Sequence, residues 1–92
     1  MLWRQRDAPT NGELPAFLLE AIRRSAADTR AFHRTRARWR RRVAASPELP
    51  IALREHLSGS QTLRVGERET HFEVAPTPAE LLDAAERLLE RS

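Results

Sequence analysis

The chain contains no cysteine and no lysine. The first absence excludes disulfide scaffolds, thiolate zinc sites and cysteine nucleophiles together. The second makes all sixteen cations arginine, each a planar, permanently charged fork suited to carboxylate or phosphate. GC-rich coding accounts for such a replacement, and the chemical consequence holds whatever the cause. Long apolar runs are missing too. Nothing approaches the roughly 18 apolar residues that span a bilayer, and the opening Met1-Leu2-Trp3-Arg4-Gln5-Arg6-Asp7 holds no signal-peptide core. A cytoplasmic protein without a membrane segment is expected. No phosphate-cradling P-loop and no dinucleotide fingerprint occurs, and only three histidines remain for metal or general-base work.

What is present is short and charged. The 92 residues, 40% hydrophobic and 32% charged, make one domain with a modest core, burying about 60–65% of the unfolded surface. The net charge of +3 is unevenly spread. Residues 1–46 carry eleven Arg against four acids, and residues 47–92 carry five against nine. This two-sidedness bears on partners rather than on fold.

Residues 1–13 read as an extended lead-in, broken by Pro9 and the Thr10-Asn11-Gly12 turn signal. Residues 14–45 hold no Gly and only Pro15, and the spacing predicts one long helix from Leu14 or Pro15 to Ala45. Leu18, Ile22, Ser25, Thr29, Phe32, Arg36, Trp39 and Val43 recur at heptad intervals. Ser25, Thr29 and Arg36 interrupt that seam, which suits packing on the rest of the chain or on a second copy. Ser46-Pro47 then resembles an N-cap and first helical position, with Leu49, Ile51, Ala52, Leu53 and Leu57 forming a short helix that ends near Ser58-Gly59.

Over residues 61–74 the apolar period falls to 2. Leu63, Val65, Phe72 and Val74 share one face of an antiparallel hairpin if the turn holds an even number of residues. Gly66-Glu67 or Glu67-Arg68 fits as the central pair. Thr77-Pro78-Ala79-Glu80 is a capping box with Pro at the first helical position. Leu81, Leu82, Ala84, Ala85, Leu88 and Leu89 form the apolar stripe of the helix it starts. The expected fold is α+β: a long amphipathic helix, then a small unit over 46–92 of short helix, two-stranded hairpin and C-terminal helix, all one domain.

Nine Arg and a single acid, Asp28, lie between Arg23 and Arg42. At 100° per residue, Arg23, Arg30, Arg34 and Arg41 fall together with Arg38 beside them, opposite Leu18, Phe32, Trp39 and Val43. Such a row matches the repeating phosphates of a nucleic acid, read by charge and not by sequence. Arg36 and Arg40 fall nearer the apolar face, as snorkelling or ion-paired side chains. Trp39 reads as a core or interface anchor rather than a base-stacking platform.

Candidates for chemistry are few. Glu69, His71 and Glu73 share one face of the second hairpin strand, a loose metal-ligand pattern that also reads as a polar outer face. His33 and His56 lack partners at ligand spacing. Ser58 and Ser60 flank Gly59 without an elbow motif or an adjacent base. No catalytic residue, cofactor or metal is expected.

Ala52-Leu53-Arg54-Glu55-His56-Leu57-Ser58-Gly59, a hairpin ending in Arg68 and Phe72, then Thr77 and Glu80-Leu81-Leu82 together resemble the head–tail joining proteins of tailed phages, the lambda gpW type. The resemblance covers about 40 of 92 residues and leaves the Arg-rich helix unexplained. It implies a helix, a Gly-marked loop, a hairpin and a second helix, in a virion assembly protein that docks below the portal near packaged DNA. The residues themselves point to a small non-enzymatic binding protein. Arg23, Arg30, Arg34, Arg38 and Arg41 engage nucleic-acid backbone or an acidic protein surface. The alternative is a structural or adaptor protein, phage-type or cellular, docking onto itself or a partner through Leu18, Ile22, Phe32, Trp39 and Val43.

Overall fold

The computed structural model describes residues 13–90; all but the last residue of the expected lead-in lies outside them. The order is α1 (Ala16–Ser25), α2 (Thr29–Ala44), β1 (Ile51–Glu55), β2 (Gln61–Val65), β3 (Arg68–Phe72) and α3 (Pro78–Glu90). The α+β class is as expected. Two elements differ from the sequence expectation.

The long helix is two helices. Ala26 and Asp28 adopt extended backbone, and the Asp28 carboxylate accepts from the Ala31 N–H at 2.8 Å, an N-cap that starts α2 afresh. The physical reason lies in the core. In an unbroken helix Leu18 and Val43 would stand about 37 Å apart. With the chain turned at Ser25–Asp28 both are fully buried in one cluster with Ile22 and Trp39.

The short helix over 49–57 is instead a strand. Ile51 pairs with Val65 and Leu53 with Leu63 in antiparallel register, so the hairpin becomes a three-stranded sheet of order β1-β2-β3. A helix there would have set Leu57 among its apolar residues. In the structure Leu57 sits 91% exposed in the β1–β2 turn. Alternating Ile51 and Leu53 onto the inner face, and giving β2 a second partner, outweighs it, because a lone hairpin is marginal. Ser46 and Pro47 accordingly lie in a turn, where Ser46 O accepts from the Leu49 N–H at 3.2 Å. The helix that the phage-protein resemblance implies at Ala52–Leu57 is therefore absent from this position.

The β2–β3 turn is Gly66-Glu67, with Val65 opposite Arg68 and Gly66 at φ +63°. Leu63, Val65 and Phe72 share the inner face, but β3 ends at Phe72 and Val74 is 75% exposed. The capping box forms as expected: Thr77 Oγ1 accepts from Glu80 N at 3.1 Å and Glu80 Oε1 from Thr77 N at 2.9 Å. Through Leu81, Ala84, Ala85 and Leu88, α3 covers the inner face of the sheet and packs on α1, while α2 packs on α1.

Candidate nucleic-acid interface

The sixteen residues of α2 include seven Arg and no acid. Core packing orients them. Trp39 and Val43 are buried and Phe32 is half-buried against the same cluster, which turns the opposite side of the helix to solvent. On that side lie Arg30, Arg34, Arg38 and Arg41, all exposed, within about 80° of arc and over roughly 16 Å of helix. None of the four makes an ion pair or side-chain hydrogen bond among the described residues.

Two of the neighbouring arginines are occupied. Arg42, a half-buried residue, donates to Glu86 Oε2 at 3.0 Å and stands 3.9 Å from Glu90, joining α2 to α3. The guanidinium of Arg36 lies 5.8 Å from the centroid of the Phe32 ring, a cation–π contact. Arg40, expected nearer the apolar face, is exposed and has no ion pair among the described residues; its side chain lines a depression with Glu13, Leu14, Leu19 and Arg36.

Arg23 does not belong to the row. It sits on α1, before the break, and pairs with Glu20 at 2.5 Å. That hydrogen bond holds the Glu20 carboxyl below its ordinary value, against an opposing desolvation, and holds Arg23 above its own. A sequence wheel that runs through Ser25–Asp28 places Arg23 in line only because it ignores the cap.

The proposed docking seam also needs correction. Leu18, Ile22 and Val43 are 0% and Trp39 2% exposed. With half-buried Phe32 they form this chain's own core, so they offer a partner no open apolar surface.

The outer face of the sheet carries the remaining candidates. Thr62, buried on β2, is a hub: its Oγ1 lies 3.0 Å from His56 Nε2 and 3.1 Å from His71 Nδ1. His71 Nε2 is 4.0 Å from exposed Glu73. No group of three or more His, Asp or Glu among the described residues is placed to hold a metal ion. Sequence spacing joined His71 to Glu69 and Glu73; the bond across the strands from His56 through Thr62 needs β1, which the spacing did not reveal. Ser58 and Ser60 hydrogen-bond each other at 3.0 Å within the β1–β2 turn.

What the fold and the face define is a small α+β domain with one helix presenting an unpaired row of guanidinium groups. Comparison with protein-family models, curated proteins and solved structures finds no match. No helix among the described residues is long and apolar enough to cross a membrane.

Proposed function

We propose that this protein binds nucleic acid through the phosphate backbone, without base specificity, in a binding rather than a catalytic role. One observation carries the reading. Arg30, Arg34, Arg38 and Arg41 are exposed and unpaired on a helix that contains no acid, while Arg23, Arg36 and Arg42 are engaged within the chain. The row has an intrinsic cost. Arg30/Arg34, Arg34/Arg38 and Arg38/Arg41 are like-charge pairs at i,i+4 or i,i+3, each destabilising by about 0.2–0.5 kcal/mol. Arg30 lies in the first turn of α2, where the helix dipole disfavours a cation. Phosphate oxygens relieve all of these terms at once.

Fluorescence anisotropy with random-sequence duplex DNA and single-stranded RNA at several salt concentrations tests this. Four phosphate contacts give log K against log salt a slope of roughly −3.6 on duplex DNA. Arg34→Ala weakens binding uniformly across sequences and reduces that slope by about 1. Absence of binding at low salt, with the fold intact by circular dichroism, overturns the reading.

A further inference from the structure

We infer that α2 lies in the major groove of B-form duplex DNA; this rests on the phosphate-binding reading above and deepens it. The observation is the breadth of the exposed arc. Arg38 and Arg40 project about 160° apart on the helix, and Arg30, Arg34, Ala37, Arg41 and His33 fill the arc between them. Every one of these positions is exposed. The helix therefore carries cations on both shoulders as well as along its crest.

A helix that rests against the outside of one strand uses a single row. Cations on both shoulders reach phosphates of two strands only when the helix sits between them. The dimensions select the groove. A helix with its side chains measures about 10–12 Å across, which matches a B-form major groove about 12 Å wide and exceeds a minor groove of about 6 Å. In A-form RNA the major groove is too deep and narrow to admit it.

The crest suits the floor of that groove. Arg30, Arg34 and Arg41 are long enough to turn outward to the flanking phosphates, and as pure donors they meet acceptor-rich base edges without repulsion, so the crest adds charge without fixing a sequence. Between them, Ala37 with Thr29, Arg30, His33 and Arg34 lines an open depression, so the smallest side chain stands where the backbone must approach closest. Asp28, the acid at the end of the helix, has its carboxylate turned to the Ala31 N–H. No acid stands on the arc itself, and Glu13 lines the depression beside Arg40 at one shoulder.

Anisotropy titrations at one low salt concentration decide the matter. The probes are a DNA duplex, the same duplex with every cytosine carrying a glucosylated hydroxymethyl group that fills the major groove, an RNA duplex of the same sequence, and single-stranded RNA. The modified and RNA duplexes are expected to bind at least about tenfold more weakly than plain DNA, a loss of about 1.4 kcal/mol. Ala37→Leu, uncharged, bulkier and at an exposed position, should lower plain-DNA affinity and leave single-stranded RNA unaffected. Equal affinity for all three duplexes overturns the groove placement and leaves backbone binding standing. No binding to any probe overturns both.

Discussion

Trp39 and Arg38 are adjacent in the chain and do opposite work. Trp39 is 2% exposed, and its indole Nε1 meets no acceptor among the described residues. Its contribution is accordingly that of an apolar body filling the space between α2 and the core. Trp39→Ala should cost about 3–5 kcal/mol, as large aromatic truncations do. Trp39→Phe, which removes an N–H without such an acceptor, should cost much less. Urea unfolding followed by circular dichroism measures both, and equal losses would show that the indole nitrogen matters after all. The arginines teach a related lesson. Residue type alone makes Arg23, Arg36, Arg40 and Arg42 equivalent to Arg30 and Arg34. Their environments separate three of them from the row, a carboxylate for Arg23, an aromatic face for Arg36 and two α3 acids for Arg42, while Arg40 shares the exposure of Arg30 and Arg34.

Where elements begin and end, local chemistry was legible and long-range pairing was not. The Thr77–Glu80 box and the Gly66-Glu67 turn are written in adjacent residues, and both form as expected. Gly66 is held twice over. Its φ of +63° is the left-handed region, and a Cβ there would meet Leu49 Cδ2 at 2.9 Å. Gly66→Ala should therefore destabilise by about 1–2 kcal/mol from the backbone alone, with the Leu49 tip shifting aside. Gly66→Asn, better tolerated at positive φ, should recover part of that loss in the same unfolding assay. The break at Ser25–Asp28 does carry a local signal: Asp28 is a preferred N-cap residue at the head of a helical run. Strand β1 had no comparable mark. Ile51-Ala52-Leu53 suits either period over so few residues, and only the pairing of Ile51 with Val65 and Leu53 with Leu63 decides it.

Across the molecule, Arg42 ties the basic half of the chain to the acidic half by its ion pairs with Glu86 and Glu90. The rest of the charge on the exposed face of α2 is unanswered among the described residues, and the proposed polyanion would relieve the self-repulsion there. Binding to the folded form alone stabilises it by linkage. At free duplex about 100 times its dissociation constant the gain is about 2.7 kcal/mol, which raises the unfolding midpoint of so small a domain by on the order of 10 °C. Differential scanning fluorimetry with and without a short DNA duplex should show that rise at low salt and its loss at high salt. A rise that persists undiminished in high salt would point to an apolar contact instead.

The sequence by itself determined the α+β class, the terminal helix with its cap, the β2–β3 hairpin and the segregation of charge, because each is encoded within a few consecutive residues or in composition. It also determined that Arg30, Arg34, Arg38 and Arg41 share a face, since those four lie on one uninterrupted helix. Tertiary structure decided the rest. Folding α1 back on α2 buried Leu18, Ile22, Trp39 and Val43 in a common core, withdrew Arg23 from the row, and left the opposite arc of α2 open. Such choices depend on which apolar surfaces meet across the chain, and burial of shared surface, unlike a cap or a turn, has no signature in any one stretch of residues.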